Sequence, residues 1–275
     1  MQNAGIAALG LDWRYLACEV APDDLRAAIT GAAAMHFVGL NLTVPHKLLA
    51  VDLVDVLDDS ARTWGAVNTI VFEARDADGE WRPLGQLERP TGPVRSKGYN
   101  TDADAIVRSL GEDLAIEPRG ARVLLLGAGG AARAAALRLA DEGVAELWLV
   151  NRTASKAEEL AAEITERFPA VHAAAGYPDT SVEILLNATS AGLKPTDPLP
   201  LDIERFPLNR ADGVYDMIYR PHETPLLAAA RAAGCSVANG LGMLLHQGAA
   251  ALDLWSGRLA PRDVMRAALE QEVYG

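Results

Sequence analysis

Val123–Ala136 reads VLLLGAGGAARAAA. Four apolar residues, a length that suits a buried strand, stop at a glycine, and an alanine-rich run of strong helix formers follows at once. Gly127, Gly129 and Ala132 fall on the spacing G-x-G-x-x-G/A. Glycines permit the tight turn, and without a Cβ they let backbone amides approach a pyrophosphate seated at the positive end of the helix. A strand before the turn and a helix after it are the context this motif requires. The stretch therefore predicts a dinucleotide held on Gly127, Ala128, Gly129, Gly130 and Ala131, in a fold built from strand–helix–strand units.

The next strand qualifies that expectation. Leu147–Leu160 reads LWLVNRTASKAEEL. A site for NAD carries Asp or Glu at this strand end to bond the ribose 2′-hydroxyl. Here Asn151, Arg152 and Thr153 occupy it, with Lys156 one turn further on. A guanidinium and an ammonium suit a 2′-phosphate, so NADP is expected in preference to NAD. Thr153 also reads as the N-cap of the helix that follows.

Outward from this centre the chain alternates strands and helices. RVLLLG, ELWLV, VEILLNA and VYDMIY read as strands, and AARAAALRLADEG and TASKAEELAAEITERF as helices. Nearer the N-terminus WRYLACEV, HFVGLNLT and AVNTIVFE read as strands, with helices over APDDLRAAITGAAAM and PHKLLAVDLVDVLDD. Strands alternating with helices imply parallel sheets with right-handed crossovers. Glu73–Gly98 holds three prolines and many charges and reads as a hairpin tip plus a long irregular loop.

At 275 residues the chain is long for one core, and two domains are expected. Half the residues are hydrophobic and 23% charged, the balance of a soluble globular protein. No apolar run approaches the roughly 18 residues of a membrane span, and MQNAGIAALGLDWR lacks the basic start and apolar core of a secretion signal. Cys18 and Cys235 stand in no metal-like spacing and read as reduced, buried thiols of a cytoplasmic protein, with no metal site expected. Lys and Arg number 25 against 37 Asp and Glu, a net charge of -12. That argues against nucleic acid as a partner, and any anionic small molecule must be held by a local group of cations.

GLNLTVPHK, GAVNTI, GYNTD, GAGGAARA, NRTASKA, NATSAGL, YDMIYRPHETPLL and NGLGMLLHQGAAALDLW follow one another from Gly39 to Trp255. Together they resemble the shikimate dehydrogenase family. The resemblance implies reversible, NADPH-dependent reduction of 3-dehydroshikimate to shikimate on the route to aromatic amino acids. It implies an α/β protein of two domains. Residues 1–101, completed by the C-terminal helices of 241–275 packing back on them, would form the substrate lobe. Residues 102–240 would form a Rossmann-type NADP-binding domain. A monomer or homodimer is expected.

Hydride transfer to a ketone creates negative charge on oxygen, which must be stabilised and protonated as it forms. Lys47, the only cation for some distance along GLNLTVPHKLLAVDLVDVL, matches the family's catalytic lysine, and Asp102 of GYNTD its partner carboxylate. The resemblance makes Lys47 the proton donor and Asp102 the group that orients it and bonds a substrate hydroxyl. It places Thr43 and Asn68 on the hydroxylated ring, with Tyr219 and Gln247 approaching from the other side; Met243 and Gln247, four residues apart, share a helix face. Met217 and Gly240 are expected beside the nicotinamide, and His46 reads as structural.

Two departures from the family pattern stand out. A strand and a Ser-x-Ser segment that grips the substrate carboxylate normally precede a helix like MQNAGIAALG, so that segment is expected upstream of Met1. Ala103 replaces the usual glycine after Asp102. The same scaffold also serves quinate and aminoshikimate dehydrogenases, although quinate-active relatives often use NAD with an acidic strand end, absent here. A dinucleotide-binding sensor without catalysis is the remaining alternative, and an intact Lys47 and Asp102 speak against it.

Overall fold

The structure is a computed structural model that describes residues 1–194 and 196–275. The chain divides into two compact units: Met1–Asp102 with Leu245–Glu272, and Ala103–Leu244 with Val273–Gly275.

The first unit begins with α1 (Gln2–Ala8), α2 (Leu25–Ala34), β1 (Gly39–Asn41) and the one-turn α3 (His46–Leu49). β2 (Val56–Leu57), α4 (Asp59–Trp64), β3 (Thr69–Arg75), β4 (Trp81–Pro83) and β5 (Thr91–Tyr99) follow. β3 is the centre of the sheet. β5 pairs with one of its edges, while β1 opposite Thr69–Val71 and β4 opposite Glu73–Arg75 share the other. All of these pairs are antiparallel, and only β2 lies parallel to β5. This sheet is therefore mixed, where strand–helix alternation predicts a parallel one. Short turns here join neighbouring strands directly, as antiparallel pairing allows. Burial of β3 from Thr69 to Ala74 explains its apolar run Ile70–Phe72. Its one buried charge, Glu73, is paired with Arg95 at 2.7 Å.

Three other expectations are corrected in this unit. WRYLACEV forms no strand: Leu16 is 73% exposed and Cys18 is exposed rather than buried. A strand is stabilised by its ladder neighbour, and the main chain of Tyr15 is bonded instead by the side chain of Asn3, at 2.9 and 2.8 Å. The helix expected over PHKLLAVDLVDVLDD stops at Leu49 and gives way to a 3-10 turn, then β2. Its repeated valines favour extended backbone, and Asp58 starts α4 by accepting from the amide of Ser60. Most of Glu73–Gly98 is regular, a hairpin into β4 and then β5, with the guanidinium groups of Arg75 and Arg95 on the ring of Trp81 at 4.5 and 4.1 Å.

The second unit is built from α5 (Asp102–Leu114), β6 (Arg122–Leu126), α6 (Gly130–Glu142), β7 (Glu146–Val150), α7 (Ala154–Arg167) and β8 (His172–Ala175). β9 (Val182–Asn187), β10 (Ala211–Asp216), α8 (Pro225–Ala232) and β11 (Ser236–Asn239) complete it. The chain ends in α9 (Leu241–Ser256) and α10 (Arg262–Tyr274). The six strands run in the order β11-β10-β9-β6-β7-β8, every pair parallel. This is the doubly wound order of dinucleotide-binding sheets, which reverses between β6 and β9. Leu124, Leu125, Ile184, Leu185 and Val214 are fully buried, as strands covered by helices on both faces require.

Candidate active site

β3 holds the first group of polar residues together. Beyond β1 the amide of Leu42 donates to the carbonyl of Asn68, and the amide of Val67 donates to the carbonyl of Lys47 in α3. From the other side the amide of Asn68 donates to the carbonyl of Tyr99, and the side chain of Asn100 to the carbonyl of Ala66. Asn100 also accepts from the amide of Asp102, at the first turn of α5. GLNLTVPHK, GAVNTI and GYNTD are thus three strands' ends tied into one knot. It brings Lys47 Nζ to 2.7 Å from Asp102 Oδ2, with the two side chains 28% and 13% exposed. An ion pair so sheltered is weakly screened, yet its ammonium remains reachable from solvent.

Asn68 is only 1% exposed. Its Oδ1 accepts from the amide of Thr101 at 2.7 Å, and its Nδ2 donates to Thr101 Oγ1 at 2.9 Å and Gln247 Oε1 at 3.5 Å. Thr101 Oγ1 in turn donates to the carbonyl of Gln247. Thr101 was not singled out by the sequence, although it stands between two residues that were. A hydroxyl that can donate and accept is what a buried amide needs beside it. Thr43 is exposed on the turn before α3, with its carbonyl accepting from the amide of His46.

In the second unit Gly127 adopts φ +115°, a conformation open to glycine, and its amide donates to the carbonyl of Val150. A Cβ there would stand 3.2 Å from the carbonyl of Ala188. Gly129 precedes α6 as its N-cap, and open space lies where a Cβ on Gly129 or Gly130 would point. Ala132, by contrast, is fully buried against the sheet. The exposed backbone of this turn fits a pyrophosphate. At the end of β7 the side chain of Asn151 donates to the carbonyl of Thr153, while Arg152, Thr153 and Lys156 are exposed. Thr153 is the N-cap of α7 but its hydroxyl makes no capping bond. Among the described residues neither Arg152 nor Lys156 joins an ion pair, which suits a 2′-phosphate.

Met217 and Gly240 meet: a Cβ on Gly240 would overlap the carbonyl of Met217, and the Gly240 amide donates to the carbonyl of Ile218. Tyr219, two residues on, is 38% exposed. Beneath them lies a group the sequence reading missed. Asp216 is fully buried and accepts from Thr224 Oγ1 at 2.7 Å, Asn187 Nδ2 at 2.9 Å and the amide of Ile218 at 3.0 Å. Burial lifts its carboxyl above the usual range, against the pull of these three donors. It ties the turns after β9 and β10 to the start of α8. The available signal was an aspartate closing an apolar strand, with Thr-Pro eight residues later as a helix start.

A doubly wound nucleotide sheet with a glycine turn, in a chain whose other unit presents a lysine–aspartate pair, defines a dinucleotide-dependent oxidoreductase. Residues 1–70 match the family described as shikimate dehydrogenase substrate binding domain, 109–192 the shikimate / quinate 5-dehydrogenase family, and 240–270 the shikimate 5′-dehydrogenase C-terminal domain. The NADP(+) shikimate dehydrogenase of Geobacter metallireducens is 41% identical over 97% of this chain and 88% of its own length. Among solved structures, the shikimate 5-dehydrogenase of Thermus thermophilus in complex with NADP(H) and shikimate is 33% identical. It covers 98% of this chain and 92% of its own, with a TM-score of 0.79. A 5-ketofructose reductase of Gluconobacter is 37% identical over the same shares, also at a TM-score of 0.79. The chain belongs to the shikimate dehydrogenase family. Among the described residues no helix is long and apolar enough to cross a membrane.

Proposed function

We propose that this protein catalyses the reversible, NADPH-dependent reduction of 3-dehydroshikimate to shikimate, with Lys47 and Asp102 as its catalytic pair. The observation that carries the reading is the 2.7 Å contact between Lys47 Nζ and Asp102 Oδ2, in an ion pair that is sheltered but open to a ligand. NADPH, when bound on the Gly127–Ala131 turn with its 2′-phosphate toward Arg152, Thr153 and Lys156, supplies the hydride. Lys47 donates a hydrogen bond to the ketone oxygen and passes it a proton as negative charge develops, so that the product is the hydroxyl. Asp102 holds the ammonium in line and accepts a bond from a neighbouring substrate hydroxyl. In the oxidative direction the neutral amine left on Lys47 takes the proton back.

Asn68, Thr43 and Gln247 bind the ring hydroxyls, and Tyr219 is a further substrate contact. Both polar ends of the Asn68 amide are engaged within the protein. Both Nδ2 hydrogens are already directed at Thr101 and Gln247, so its substrate contact takes over the long 3.5 Å bond to Gln247 Oε1, in an orientation already fixed. Met217 and Gly240 border the nicotinamide. Residues 1–101 with 241–275 act as the substrate lobe and 102–240 as the NADP domain. The enzyme works in the cytoplasm, as a monomer or homodimer, without nucleic acid.

The test is a mutant cycle assayed with shikimate and quinate, each with NADP and NAD. Lys47→Ala should lower turnover by about 10²–10⁴-fold, the span of general acid–base catalysis, with NADP affinity nearly unchanged. Asp102→Asn should lower it as well, and the double mutant should lose far less than the product of the two. Multiplicative losses would show that the residues do not act as a unit. Quinate with NAD outpacing shikimate with NADP would overturn the substrate assignment.

A further inference from the structure

The loop that leaves β10 is fastened at its base by Asp216, through the amide of Ile218 and the hydroxyl of Thr224. Its outer part, Tyr219 to His222, has no such buried anchor: Tyr219, Arg220 and His222 are exposed. Two of its carbonyls are nevertheless taken by side chains from distant parts of the sequence. Asn239, the last residue of β11, donates from Nδ2 to the carbonyl of His222 at 2.8 Å. Tyr274, one residue from the end of the chain, donates from its hydroxyl to the carbonyl of Tyr219 at 3.3 Å.

The two side chains also hold each other, since Asn239 Nδ2 lies 2.8 Å from the Tyr274 hydroxyl. An amide nitrogen carries two hydrogens, so those of Asn239 are fully used by His222 and Tyr274. Its Oδ1 accepts from the amide of Leu241, the first residue of α9. The ring of Tyr274 completes the arrangement by standing edge-on to His222, with centroids 4.5 Å apart and planes at 78°. Val273–Gly275 belong to the second unit, although the rest of α10 belongs to the first.

We propose that Asn239 and Tyr274 form a clasp that positions the Met217–His222 loop, making the penultimate residue of the chain a positioning residue for substrate binding. The inference rests on the reading that Tyr219 contacts the substrate. An exposed carbonyl can bond water equally well, so the loop keeps its conformational freedom unless side chains capture it. Fixing Tyr219 beforehand removes an ordering cost that binding would otherwise meet. Asn239 adds a second effect. By bonding the loop and starting α9 with one side chain, it fixes the turn on which Gly240 presses against the carbonyl of Met217.

Tyr274→Phe deletes both hydroxyl bonds and keeps the ring against His222. The Michaelis constant for shikimate should rise roughly three- to tenfold, the range for one or two ordinary hydrogen bonds. Turnover, melting temperature and the dissociation constant of NADPH read from its fluorescence should stay near wild type. Tyr219→Phe should raise the same Michaelis constant, and Tyr274→Phe added to it should cost little more, because the clasp acts through Tyr219. An unchanged Michaelis constant in Tyr274→Phe beside a raised one in Tyr219→Phe overturns the clasp, as does an equal added cost in both backgrounds. If Tyr219→Phe has no effect, the reading of Tyr219 fails instead. Amide exchange at Tyr219, Arg220 and His222 then decides: faster exchange in Tyr274→Phe supports the clasp, and unchanged exchange overturns it.

Discussion

Lys47, in the one-turn α3, and Arg152, just before the 14-residue α7, are both cations near a helix start, and the structure treats them in opposite ways. Lys47 is sheltered and bound to Asp102, whereas Arg152 is exposed and, among the described residues, joins no carboxylate. In a chain of net charge -12, a guanidinium left unpaired is available for an anion from outside. Arg152→Ala should therefore weaken NADP by about tenfold, the lower end for a charge-assisted bond because solvent screens it, and leave NAD nearly unaffected. Fluorescence titration of both reduced cofactors gives the ratio, and equal losses would remove Arg152 from the 2′-phosphate. The type and spacing of these residues were legible in the sequence. Thr101 was not, since a threonine among polar neighbours has no signature until its hydroxyl is found between Asn68 and Gln247.

Elements here are fastened by close approaches that only glycine allows. The indole of Trp255, on α9, donates to the carbonyl of Ile70 at 3.0 Å and passes over Gly39, where a Cβ would overlap it. Gly39→Ala should push the indole away from β1 and β3 and cost about 1–3 kcal/mol, as overpacking does. A lowered melting temperature with a blue- or red-shifted tryptophan emission would report it, and wild-type stability would show that the helix yields freely. Asp216 sets a pH dependence in the second unit. Its folded carboxyl binds a proton more tightly than an unfolded one, so its charge opposes folding increasingly as pH rises from the ordinary carboxylate range through the raised value. Wild-type stability relative to Asp216→Asn should thus be greatest at acid pH and decline across that window. Urea unfolding at several pH values checks the slope, and a parallel pair of curves would contradict it.

At the scale of the whole molecule, the division into two units predicts that two ligands protect two sets of amides. NADP should slow hydrogen exchange on the turn from Gly127 to Ala131 and at residues 151–156, and shikimate should slow it around Lys47, Asn68 and Asp102. Each ligand at about 100 times its dissociation constant adds about 2.7 kcal/mol to the stability of what it binds. Protection of the same amides by both would overturn the assignment of lobes.

The doubly wound sheet was legible because its information is local: Val123–Ala136 contains a strand, the glycines of a turn and the start of a helix, and each neighbour repeats the unit. The cofactor turn was legible for the same reason, while Lys47 and Asp102 stood out only through the resemblance carried by eight motifs in order along the chain. The first sheet was not. WRYLACEV has the residues of a strand, but a strand exists only with a partner, and none of the described residues pairs with it. PHKLLAVDLVDVLDD has helical spacing over its length, yet β5 captures Val56 and Leu57 into the sheet. The Asp216 knot and the grip of Asn239 and Tyr274 on one loop join residues up to 55 positions apart. Local sequence thus determined the nucleotide-binding unit and singled out Lys47 and Asp102 as candidates. Pairing, burial and the meeting of distant side chains were decided only when the chain folded, because their free energies belong to contacts that no single segment contains.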